Sequence, residues 1–193
     1  MPCVIIHRLA SGRSEVVPTA WQDHVEDGFV NGRQGDLSLL EHPVAREMLQ
    51  SANPARLAYV GRDGTPRVVP IWFHWNGSEI VLASPTATPK VKTLREHPAV
   101  ALTIDGIAFP YHVLMIRGVA EIGPVGGMPQ ELVTAADRYL GSEQGHEMLA
   151  QMGSLGMEWV RISVRPTWVG IIDYETRFSA AVEQAMEHAA ASA

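Results

Sequence analysis

The sequence predicts an α+β fold, mainly β with helices, built on one antiparallel sheet. Three observations carry that expectation. Strand-like runs follow one another directly, joined by tight-turn signals such as Asp63-Gly64, whose second residue supplies the positive φ that short hairpins demand. Helical patterns come in clusters and do not alternate one for one with strands, so a doubly wound parallel sheet is not expected. The 193 residues, 46% of them hydrophobic, are enough for one buried core and too few for two comfortable ones.

The elements follow in order. Residues 1–40 are broken by Ser11-Gly12, Asp27-Gly28 and Asn31-Gly32 and read as an N-terminal arm or a partly disordered leader. A short helix starts near His42-Pro43, because proline is tolerated in a first turn whose N–H has no helical partner. Strands are expected at 56–61, 66–74 and 79–84. Residues 86–96 read as a helix with Thr88 as cap and Pro89 at its first position. Strands at 99–105 and 111–122 come next, then helices at 129–140 and 143–152 with apolar residues at helical spacing. Two last strands, 159–164 and 168–174, precede an Ala-rich helical tail at 179–193. The expected organisation is an arm (1–40), a barrel-like domain (41–178) and the tail. An antiparallel sheet closed on itself, with helices at its ends, fits this order.

Composition excludes several functions. Charged residues make up 19% of the chain and the net charge is −6, with no basic stripe for nucleic acid. No segment approaches the eighteen or so apolar residues that a membrane span requires. The single cysteine, Cys3, makes neither an internal disulfide nor a paired metal site. The expectation is a cytosolic protein. The eight histidines show no metal-ligand spacing, although a single axial histidine is enough for haem. Nucleophile-elbow, dinucleotide and P-loop motifs are missing.

Two stretches carry chemistry. The run 83–92, with Ala83, Ser84, Thr86, Thr88, Pro89, Lys90 and Lys92, joins a strand end to a helix start. First-turn N–H groups lack helical partners, and the helix dipole makes that end electropositive. Hydroxyls and two lysines add to it, giving either an anion cradle suited to phosphate or an ordinary capped surface helix. The second stretch is Thr65 to His74. Arg67 opens it, and Pro70 interrupts an apolar run of Val68, Val69, Ile71 and Trp72. Proline cannot donate to a ladder, so this is an edge, a bulge or a strand facing a ligand. Packing is the alternative role for Trp72, Tyr111 and His112, each of which is otherwise placed to touch a substrate.

These stretches, with Ala55-Arg56-Leu57-Ala58-Tyr59-Val60, His97-Pro98-Ala99-Val100-Ala101-Leu102 and Ile116-Arg117-Gly118-Val119-Ala120, resemble the pyridoxamine-phosphate-oxidase-like split barrels over residues 47–174. The resemblance implies a six-stranded antiparallel split β-barrel and a homodimer with two cofactors in grooves at the subunit interface. FMN is the cofactor implied first, with F420 as the alternative and haem less favoured. In that frame Arg67 opens the cofactor-facing strand and Val68, Val69, Pro70, Ile71 and Trp72 line the ring. Ala83 and Ser84 lie beside the ribityl or phosphate, Thr88, Pro89 and Lys90 sit at the phosphate, and Lys92 is a second cation. A polyglutamyl tail would add Arg95 and Arg117.

The activity implied is flavin- or F420-dependent oxidation or reduction of a small organic molecule, with no catalytic side chain required. Cofactor storage without turnover, or haem binding through His74 or His112, are the other readings. The stretch 166–174 lacks the Arg and Trp run that binds substrate phosphate in true pyridoxamine phosphate oxidases, and Arg177 is the nearest cation. That departure argues against their reaction.

Overall fold

The computed structural model describes residues 32–192. The turn signals before Gly32, and Cys3, lie outside the described residues. A 3-10 turn at Leu37–Glu41 leads into α1 (Pro43–Gln50), β1 (Ala55–Val60), β2 (Pro66–Ile71), β3 (Phe73–Trp75), β4 (Ile80–Pro85) and α2 (Pro89–Glu96). They are followed by β5 (Ala99–Asp105), β6 (Val113–Pro124), α3 (Gln130–Leu140), α4 (Ser142–Ser154), β7 (Trp159–Ile172) and α5 (Ala180–Ala191). The strands form one antiparallel sheet in the order β2-β1-β5-β6-β7-β4-β3.

That order makes β2 and β3 the two edges of the sheet, although only Trp72 separates them in the chain. Two residues of extended chain span roughly 7 Å, so the sheet must curl until its edges lie side by side. This is the split of a half-barrel. The sheet has seven strands where the resemblance implied six; the run 66–74, expected as one strand, breaks at Trp72, and each half pairs with a different neighbour. The two expected final strands are one continuous β7. It passes Pro166-Thr167 by a bulge, where Arg117 faces Trp168 and Gly118 faces Pro166. Gly118 is required there, since a Cβ would sit 2.4 Å from the Arg165 carbonyl oxygen.

The concave face holds the main core. Leu57, Leu102, Ile104, Leu114, Ile116, Ile162 and Ile171 are essentially unexposed, and α1 (Val44, Ala45, Met48, Leu49) and α2 (Val91, Leu94) press apolar faces into it. The convex face is covered in one half. There Leu132 and Ala136 of α3 and Leu149 of α4 pack with Trp159, Ala83 and Trp72. The other half, on β1, β2, β5 and β6, has no helix packed on it among the described residues. Successive strand residues face opposite sides, so the ladder pairs Ala58↔Val68, Ala58↔Ala101 and Ala99↔Val119 put Val60, Val68 and Val119 on it, exposed by 49%, 62% and 52%.

The segment before α1 is tied to β7. The Gly35 N–H donates to the Val169 carbonyl at 2.7 Å. The Gln34 side-chain amide donates to the Ile171 carbonyl at 2.6 Å, and its oxygen accepts from the Ile171 N–H at 2.9 Å. At the far end, α5 buries no residue among those described.

Candidate cofactor site

The site is built where β4 hands over to α2. Pro89 starts α2 with the φ a first turn needs, and Thr88 stands at the N-cap without capping it through its side chain. The Thr88 hydroxyl instead donates to the Pro85 carbonyl at 3.0 Å and lies 2.9 Å from the Ser84 hydroxyl. The Ser84 hydroxyl also reaches the Pro85 carbonyl at 3.4 Å, so either hydroxyl can donate to the other while its partner donates to that carbonyl. Ser84 is fully buried. The backbone closes the loop further, with Thr86 N–H on the Glu158 carbonyl at 2.9 Å and Thr88 N–H on the Pro85 carbonyl at 3.1 Å. Ser84 and Thr88 therefore brace the loop and spend their protons inside it. What remains for a ligand is the uncapped first turn of α2 with its dipole.

Lys90 stands in that turn. Its side chain is half-buried, and burial pushes its ammonium below the usual lysine range. Among the described residues no carboxylate pairs with it. A half-buried cation without a counter-charge is costly unless something anionic arrives. Lys92 is exposed on the outer side of the same helix, and Ala83 and Pro89 frame the loop. Residues and chemistry thus fit a phosphate.

The second stretch is only partly assembled with the first. Val69 and Ile71 pack on the main core, while Val68 and Pro70 lie on the opposite, exposed face, as strand alternation requires. β2 is an edge, so a ligand beside it would meet its backbone as much as its side chains. Arg67 is engaged within the β1–β2 hairpin: it pairs with Asp63 at 2.7 Å and donates to the Thr65 hydroxyl. The hydroxyl and amide of Thr65, ahead of Arg67 itself, hold the Asp63 carboxyl down at about 2. Arg67 makes no bond to Thr88 or Lys90. Trp72 has one ring face stacked on Tyr139, with centroids 4.8 Å apart and planes 4° from parallel.

His112, Arg117 and Arg177 are engaged in other contacts. His112 Nδ1 lies 2.7 Å from Glu47, and burial, with Arg138 adding to it, holds the His74 ring below the usual range. Arg117 stacks over Trp168 at 4.2 Å. Arg177 donates to the Gly32 carbonyl at 2.7 Å. Among the described residues no group of three His, Cys, Asp or Glu side chains gathers as a metal would need, and no helix is long and apolar enough to cross a membrane. Tyr111 joins an exposed aromatic row with Phe109 and Tyr174.

A curled antiparallel sheet, split between its two edge strands and capped by helices, defines a split-barrel protein. Residues 42–164 match the family model of pyridoxamine 5'-phosphate oxidase, and the chain belongs to that family. Among proteins of curated function, none matches. Among solved structures, the chain is similar to an F420 reductase at 27% identity, over 65% of this chain and 94% of that one, with a TM-score of 0.50. A conserved hypothetical protein of Mycobacterium tuberculosis shares the fold at 23% identity, over 67% and 82% of the two chains, with a TM-score of 0.54. A heme storage protein of Vibrio cholerae does so at 18% identity, over 68% and 92%, with a TM-score of 0.52.

Proposed function

We propose that the protein is an oxidoreductase that holds FMN by its phosphate at the start of α2. The observation that carries this reading is Lys90, a half-buried ammonium without a carboxylate partner, set in an uncapped helical turn. Lys90, its own backbone N–H and Lys92 hold the phosphate, since Pro89 has no N–H and the Val91 N–H donates to the Thr88 carbonyl at 3.1 Å, and the Ser84–Thr88 brace keeps the loop in shape for it. The ring system lies along the β2 edge from Arg67 to Ile71, with Trp72 at its end. When bound, the cofactor supplies hydride or single-electron exchange with a small organic molecule, so the chain needs no nucleophile of its own. Its residues exclude water, anchor the phosphate and orient the ring. F420 in the same groove is the second reading, favoured by the likeness to the F420 reductase. Two copies of the chain, meeting on the sheet face of Val60, Val68 and Val119, complete the groove.

Visible absorption of the purified protein, before and after addition of FMN, F420 or haemin, tests this directly. Flavin bands support FMN and a deazaflavin band supports F420, whereas a Soret band or no uptake overturns the proposal. Lys90→Ala is expected to weaken FMN binding at least tenfold, because a charge-assisted phosphate contact is lost, about 1.4 kcal/mol or more. Unchanged affinity in a fluorescence titration would remove Lys90 from the site.

A further inference from the structure

A cleft of about 600 Å³ opens beside the phosphate loop, lined by Thr86, Arg95, Val125, Met157, Glu158 and Trp159 among others. Thr86 belongs to both places, so the cleft continues from the phosphate site. Its lining is mainly apolar, with Thr86, Arg95 and Glu158 as the polar side chains. Trp159 is 6% exposed and packs on Leu132 and Leu149 behind it, and Val125 and Met157 flank it. Two charged residues, Arg95 and Glu158, are among those that line it. Arg95 is exposed and has no ion pair among the described residues. It lies on the α2 face of Thr88 and Lys92, at the i, i+4, i+7 positions that line one side of a helix. Glu158 supplies a carboxylate, its own backbone carbonyl being fixed by the Thr86 N–H.

A flat apolar slot with a few convergent polar groups is the usual form of a small-molecule site, and the polar groups say which molecule. Arg95 matches a phosphate or diphosphate. Glu158 accepts from an exocyclic amine or from ribose hydroxyls, and it repels a chain of carboxylates. Resting on the phosphate site at α2, we propose that this cleft binds an adenosine 5′-phosphate group. The group is either the adenylyl half of FAD, joined to the flavin through the phosphate held at Lys90, or part of a separate adenine dinucleotide that brings electrons.

The test uses AMP as probe on the full chain, with and without FMN, alongside FMN and FAD titrations followed by flavin fluorescence. AMP is expected to bind, and Arg95→Ala to weaken it at least tenfold while leaving FMN affinity unchanged. Glu158→Gln is expected to weaken AMP and to bring on binding of a tetraglutamate peptide. A tenfold preference for FAD over FMN, with AMP displacing the added half, supports the joined form. Equal FMN and FAD affinities, with AMP binding to the FMN-loaded protein, support the separate nucleotide. No AMP binding together with no FAD preference overturns the proposal, as does AMP binding indifferent to Arg95→Ala. The phosphate reading fails separately: AMP binding that depends on Arg95, in a chain that takes up no flavin, keeps the cleft and removes the flavin.

Discussion

At the scale of residues, the sites separate by whether a charge already has a partner. Lys90 has none and Arg67 has Asp63, although both are cations expected at the same cofactor. His42 makes the same point for stability. It is buried at the N-cap of α1, where its Nδ1 accepts from the Val44 N–H. Burial first, then the nearby Arg177 and His112, push its ring below the usual range, with Asp173 opposing them. The folded state therefore takes up a proton less readily than the unfolded chain, whose histidine titrates near 6.5. The stability this contributes is whole above about 6.5 and drains away as the pH falls through the lower folded value. Denaturant melts between pH 7 and 5 are expected to show stability falling, less steeply in His42→Asn, which retains a capping acceptor. An unchanged slope in the variant would mean that other groups, His74 among them, set the acid limit.

At the scale of elements, Gly118 is the test of how β6 meets β7. An alanine Cβ would press on the Arg165 backbone beside the bulge, and backbone cannot swing aside. Gly118→Ala is expected to cost about 1–3 kcal/mol, read as a lowered urea midpoint with its slope unchanged. This bulge also shows what sequence reasoning does and does not reach. The starts of α1 and α2 were readable because Pro43 and Pro89 have a local meaning. The loop from β4 into α2 was readable because its residues are consecutive. The single long β7 was hidden, since Pro166-Thr167 looks like a break and is bridged only by its pairing with β6. The break at Trp72 was hidden for the opposite reason: nothing in Ile71-Trp72-Phe73 interrupts a strand locally, and the division comes from which neighbours each half finds. Arg95, Glu158 and Trp159 could not be grouped at all, because α2 and the start of β7 lie some sixty residues apart in the chain.

At the scale of the molecule, the sheet face of Val60, Val68 and Val119 calls for a cover. Exposed apolar side chains gathered on one sheet face mark a contact, and Ala58, Ala99, Ala101 and the three valines, bordered on the same face by Arg56 and Arg117, let a like surface approach closely. A second copy of the chain is the proposed occupant. Val68→Asp with Val119→Asp is expected to shift sedimentation from dimer to monomer and to weaken cofactor binding with it. A wild-type protein that sediments as a monomer at micromolar concentration would exclude that cover.

Gln34 has a wider consequence. Beyond residue 164, β7 has a strand on one side only, and such a border of unpaired N–H and C=O groups is a template on which other chains can add and aggregate. The Gln34 side-chain amide, donating and accepting at Ile171 as a neighbouring strand would, covers that border together with the Gly35 N–H on the Val169 carbonyl. Replacing Gln34 by an apolar residue would leave the α2 loop untouched and is expected to give the protein a sticky seam. The short segment ahead of α1 thus works as a guard against self-association of the wrong kind.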